Sequence, residues 1–149
     1  MGLANHLQRQ QQRLDALCET LREETAALAK AQVDGDELAG LAETKQRLFR
    51  ELDALESQRR QAQARLGYVE GRAGARQAAE EADCLDAWLT LMALAERVRE
   101  LNATNGSLIR ERMRQNQQML DFLREAAGKP LYGPNGQARQ RDSRVSSRA

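Results

Sequence analysis

The sequence predicts an all-α fold: an elongated antiparallel three-helix bundle or coiled coil, with a long third helix overhanging the first two and a flexible C-terminal tail. Three observations predict it. Leu and Ala dominate the 149 residues, whereas there is one Ile, four Val, two Phe, two Tyr and one Trp, and sheets draw on the residues that are scarce here. Both prolines lie beyond residue 128, so no missing backbone donor interrupts a helix before that point. Leucines recur at heptad and three-four spacing through most of the preceding chain. The reading gives a helical domain over 1–128, with helices at about 3–32, 35–66 and 83–127 and a connector at 67–82, then a basic tail over 129–149.

In the first helix Leu7, Leu14, Leu21 and Leu28 stand seven residues apart, with Leu3, Leu17 and Ala31 at the complementary heptad positions. Gln10 and Glu24 occupy two positions where an unbroken seam would have Leu. They either fix register or lie partly exposed, and exposure is the more usual state of such residues. The break comes at 33–37, where Asp34 is placed to cap a new helix and Glu37 to return a bond to the cap's own amide. So short a connection makes an antiparallel hairpin. The second helix repeats Leu38, Leu41, Lys45, Leu48, Leu52, Leu55, Arg59, Ala62 and Leu66, with Lys45 and Arg59 expected to lay their stems in the groove and keep their charges wet. From Gly67 to Ala82 the pattern dissolves amid Gly67, Gly71 and Gly74, each about 1 kcal/mol less favourable in a helix than alanine. This stretch reads as a mobile connector, although 75–82 could extend the next helix backwards. Asp83 is the expected cap of the third helix, and Gly128-Lys129-Pro130 its stop.

Length carries the main structural expectation. Two helices of about 30 residues span near 45 Å and one of about 45 residues near 67 Å, so roughly the last 12–15 residues of the third project past the hairpin turn. Leu108, Ile109, Met113, Met119, Leu120, Phe122 and Leu123 supply apolar surface there, with Asn116 among them. Helical apolar surface without a partner in its own chain finds one elsewhere, by self-association or by binding another protein. Two further features resist a purely structural account. Asn102, Asn105 and Gly106 stand mid-helix, where Asn and Gly are each unfavourable by roughly 0.7–1 kcal/mol, and the expectation is a close helix crossing at Gly106 with Asn105 hydrogen-bonded across the seam, favoured over direct contact with a ligand. The tail segment LYGPNGQ at 131–137 puts Leu131 and Tyr132 inside turn-forming residues.

Other function classes find little support. The net charge is +1; Lys129, Arg139, Arg141, Arg144 and Arg148 against Asp142 put +4 on 129–149, leaving −3 on 1–128. Five dispersed cations are a weak nucleic-acid signal. His6 is the only histidine, no Cys or carboxylate cluster has metal-ligand spacing, and Gly71-Arg72-Ala73-Gly74 lacks the strand and lysine of a phosphate loop, so no enzyme activity, metal or cofactor is expected. Cys18 and Cys84 read as buried reduced thiols. No apolar window has the ~18 residues of a membrane span, and residues 1–12 lack a signal peptide's apolar centre, which predicts a soluble cytoplasmic protein.

The motifs LNATNG at 101–106, NQQMLDFL at 116–123 and LYGPNGQ at 131–137, with KQRLFRELDALESQRR at 45–60, resemble the FlgN family, the export chaperones of the flagellar hook-filament junction proteins. The resemblance implies a cytoplasmic, non-enzymatic chaperone that binds C-terminal helical segments of junction proteins, keeps them from premature assembly and delivers them to the flagellar type III export gate. On this chain substrate binding would fall at about 108–124, and the tail tyrosine linked with docking at the gate would be Tyr132. The arginine-rich end after Gln137 matches no motif of the family. A homodimeric coiled-coil scaffold is the rival reading.

Overall fold

The computed structural model describes residues 2–128, and they contain four helices and no strand. These are α1 (Leu3–Leu28), α2 (Gly35–Arg65), α3 (Arg72–Glu81) and α4 (Leu85–Gly128). Contacts divide the chain into two units, one ending at Leu108 and one beginning at Ile109. The basic tail, Leu131 and Tyr132 lie outside the described residues.

In the first unit the heptad leucines Leu7, Leu14, Leu21 and Leu28 are all buried, with Leu17 and Cys18 beside them. Leu48 from α2, Ala75 and Ala79 from α3, Cys84, and Trp88, Leu91 and Val98 from α4 complete the cluster around Leu7, Leu14, Leu17, Cys18 and Leu21. The hairpin is antiparallel: Arg13 meets Glu51 at 2.9 Å, Glu24 meets Lys45 at 3.2 Å and Lys30 meets Glu37 at 2.8 Å. Asp34 caps α2, its carboxylate accepting from the amides of Asp36 at 3.0 Å and Glu37 at 3.2 Å. The reciprocal bond expected from Glu37 is replaced by the Lys30 ion pair across the turn, so the acid braces the hairpin instead of its own cap. Within the expected seam of α2, Leu66 is an outlier, 74% exposed.

The expectations for four polar seam residues need correction here. Gln10 and Glu24 are buried rather than partly exposed. The Gln10 amide donates to Glu56 at 3.2 Å, and Glu24 is enclosed by partners described below. Lys45 and Arg59 do not hold their charges in water. The Arg59 guanidinium, 9% exposed, donates to both Glu56 oxygens at 3.0 and 2.7 Å and to Gln63 at 2.6 Å, and lies 5.2 Å over the Trp88 ring. Burial pushes the Glu56 carboxyl up, but the Arg59 hydrogen bonds and charge, helped by Gln10, bring it net below the usual carboxylate value.

The stretch expected as a mobile connector folds into α3 and two closed turns. Gly67, at φ 87°, ends α2: its amide bonds to the Ala64 carbonyl at 3.1 Å and that of Tyr68 to Gln63 at 3.1 Å, the five-to-two and six-to-one pairs of a Schellman cap. The same pairs end α3, where Asp83 stands at φ 57°, its amide on Glu80 at 3.1 Å and that of Cys84 on Ala79 at 2.8 Å. Asp83 therefore closes α3 rather than opening α4, whose first turn starts from the Cys84 carbonyl. The buried Gln63 side chain ties this region to α2, donating to the carbonyls of Val69 at 2.5 Å and Gly71 at 3.2 Å. Gly74 is required by space: a Cβ there would sit 1.8 Å from the Val69 carbonyl oxygen.

Gly74→Ala is therefore expected to destabilise the protein by about 1–3 kcal/mol in urea denaturation, because backbone must shift. Gly40→Ala, in an α2 turn where a Cβ meets nothing within 4 Å, is expected to stabilise it by up to about 1 kcal/mol.

Candidate functional site

The site begins with a mid-helix asparagine. Asn105 on α4 is fully buried, and its amide nitrogen donates to the Leu21 carbonyl at 2.8 Å and to Glu24 Oε1 at 2.9 Å. Its oxygen accepts from the Thr25 hydroxyl at 2.6 Å. Both amide hydrogens and the carbonyl are used, which offsets the low helix propensity of Asn. The Glu24 carboxylate, 3% exposed, also accepts from Lys45 Nζ at 3.2 and 3.3 Å. One buried polar layer thus joins α1, α2 and α4, while Asn102 and Gly106 are half-buried beside it. Thr25, Glu24 and Lys45 were not among the expected site residues. Their signal was a pair of opposite charges at seam positions on two successive helices.

In the second unit the exposure reverses. Leu108, which closes the first unit, and Ile109, which opens the second, are half-buried, whereas every residue over 113–128 is exposed. Met113, Asn116, Leu120 and Leu123 stand three or four residues apart and so share one face of α4, with Met119 on its edge, whereas Phe122 falls on the far side, between Glu111 and Gln115. The opposite face is polar and bonded along the helix: Arg114 to Glu111, Gln115 to Glu111 at 3.3 Å, and Gln117 to Asp121 at 2.9 Å. The Arg114 hydrogen bonds hold the Glu111 carboxyl below its usual value. The result is an amphipathic helical segment whose apolar side has no cover among the described residues. Its exposed side chains are thioethers and leucines, groups suited to contact rather than to reaction.

Among the described residues no three His, Cys, Asp or Glu side chains are grouped to hold a metal, and no helix is long and apolar enough to cross a membrane. A family model described as FlgN protein matches residues 1–140. The chain belongs to the FlgN family. It is 32% identical over 114 residues to the flagella synthesis protein FlgN of Salmonella typhimurium, covering 76% of this chain and 74% of that one. The protein of the same name from Escherichia coli is 28% identical over 124 residues, covering 83% and 80%, and that of Yersinia enterocolitica is 27% identical over 137 residues, covering 92% and 89%. No solved structure matches the chain. In this FlgN-family chain, then, the sequence-derived residues Met113, Asn116, Met119, Leu120 and Leu123 fall together on or beside the exposed face of α4, whereas Phe122 lies exposed on the other side of the helix and Tyr132 lies outside the described residues.

The buried layer generates a double-mutant test. Lys45→Met should cost about 2–4 kcal/mol in urea denaturation by leaving Glu24 buried without its cation, and adding Glu24→Met should recover most of that loss.

Proposed function

We propose that this chain is a cytoplasmic export chaperone that binds the C-terminal helical segments of flagellar hook-filament junction proteins, prevents their premature assembly and delivers them to the flagellar type III export gate. The observation that carries the proposal is the uncovered apolar face at 113–123 on α4, in a chain whose relatives are flagella synthesis proteins. The client's amphipathic helix lies along that face and buries its own polymerising surface in doing so. Each Met, Leu or Phe fully covered contributes about 1.5–3 kcal/mol before the association cost of several kcal/mol, so four or five side chains support a useful but reversible affinity. Met113 and Met119 let the face adapt to more than one client, because unbranched thioethers fill irregular gaps. Asn116 and the glutamines at 115, 117 and 118 add hydrogen bonds without selecting for charge. Release at the gate is assigned to the tail, with Tyr132 as the docking side chain.

Calorimetry with a junction protein's C-terminal segment tests the binding step. Replacing Met119, Leu120 and Leu123 together by Gln is expected to weaken binding at least about 100-fold with helicity unchanged by circular dichroism. Unchanged affinity would overturn the proposal, as would a concentration-dependent dimer that the client does not dissociate, which points to the scaffold reading. A second prediction separates delivery from binding: Tyr132→Ala should keep client affinity within about twofold and lose export in a secretion assay.

A further inference from the structure

The first unit holds a cavity that the proposed client face does not use. It has a volume of about 610 Å³ and lies where the start of α1, the end of α2, α3 and the start of α4 meet. That size suits several side chains of a bound peptide. Its walls are apolar, from Leu3, Ala62, Ala75 and Ala78, and Trp88 forms one side. Trp88 is 5% exposed, yet its indole N–H donates to no group among the described residues. Among the described residues Gln10 Oε1 is the one buried side-chain polar atom without a partner, so the indole N–H is open to solvent, and to a ligand, rather than sealed in the core.

The charges around the cavity narrow the choice of ligand. Arg59 is engaged by Glu56 and Gln63, and Glu81 by the Tyr68 hydroxyl at 2.6 Å and Gln77 at 3.0 Å. His6 Nε2 donates to the Leu55 carbonyl at 2.8 Å. Arg9 alone among the cavity's cations has no ion-pair partner among the described residues. A free guanidinium and a free indole donor beside apolar walls suit a carboxylate next to an apolar side chain. Leu66, which lines the cavity, is 74% exposed, and Val69, three residues on, is 63% exposed, so the chain around the cavity carries more open apolar surface than a small acid would cover.

We propose that this cavity is a second protein-binding site, which takes an apolar side chain and a neighbouring carboxylate from a partner's peptide segment. It is independent of the α4 face, since its lining residues all precede Leu89, and it stands whether or not client binding at 113–123 does.

Trp88 is the chain's only tryptophan, so its ¹⁵N indole resonance reports the site without ambiguity. The full-length protein is titrated with the capped peptides acetyl-Glu-Leu-Phe-amide and acetyl-Gln-Leu-Phe-amide, and with isovalerate. The acidic peptide is expected to shift the indole resonance saturably and to bind about three- to fivefold more tightly than the Gln peptide. Arg9→Gln should erase that preference while leaving the thermal melt unchanged, and Ala78→Phe should block the shift by filling the cavity. Absence of a saturable shift at millimolar peptide overturns the proposal, and so does equal affinity for the two peptides. Isovalerate binding as tightly as the acidic peptide also overturns it, because the cavity would then take a small acid.

Discussion

A carboxylate buried in a helical bundle tolerates few arrangements of its neighbours, and Glu24 is such a carboxylate. Its oxygens meet Lys45 from α2 and Asn105 from α4, so the three helices have one axial alignment in which the charge is neutralised and its hydrogen bonds are made. Sliding any helix by a turn moves its partner about 5.4 Å away and leaves an ion in an apolar layer, whereas the leucine layers on either side would tolerate the shift far better. The layer's worth is therefore mainly in uniqueness: an apolar replacement of similar volume would hold the helices as firmly but choose less sharply among registers. Thr25 completes the layer by using the remaining lone-pair capacity of Asn105.

Everything at the far end of the first unit follows from that alignment. With Glu24 opposite Lys45 and Asn105, the antiparallel course of α2 and α4 brings Arg59 over Trp88. The end of α2 must then be linked to the start of α4 within the residues from Leu66 to Cys84, and α3 fills the space between with its smallest side chains, Ala75 and Ala79, against the core. Gly74 allows the Val69 carbonyl to approach within what would be bonding distance of a Cβ, and Gln63 bonds that same carbonyl. The cavity beside Trp88 is the space left because α3 contributes alanines where leucines would have filled it.

The helical class, the hairpin and the heptad core were legible in the sequence, because leucine periodicity reports burial whenever the buried residue is apolar. Gln10, Glu24, Lys45 and Arg59 were not, since reading a charged seam residue as wet assumes that no partner reaches it. The information was present in a weaker form. Glu24 lies ten residues before Asp34 and Lys45 lies ten after Gly35, so folding the chain at that turn brings them opposite each other. The stretch from Gly67 to Ala82 was obscure for a different reason: glycine lowers helix propensity in general, but at Gly67 it closes a cap and at Gly74 it permits a contact, and neither role has a periodic signature. The apolar residues at 113–123 were legible as spacing, and the excess length of the last helix already pointed to apolar surface without a partner in its own chain.

That exposed face poses a stability question which its own residues do not answer. Intrahelical pairs such as Gln117 with Asp121 contribute only about 0.2–0.5 kcal/mol each, and a 20-residue segment with Asn, Gln and exposed apolar groups would be marginal as a free helix. Most of the cost of starting a helix lies in nucleation, and α4 is nucleated within the first unit, where Trp88, Leu91 and Val98 are packed. Propagation through residues 109–128 then adds one backbone hydrogen bond per residue ordered, without repeating that cost. Asn105 is the last fully buried position of α4 before this stretch, and its bonds to Leu21, Glu24 and Thr25 resist fraying from the exposed side. The polar layer that sets the register of the bundle therefore also anchors the helix that carries the apolar face, so the binding proposed for that face would meet it already in helical form and lose little conformational entropy.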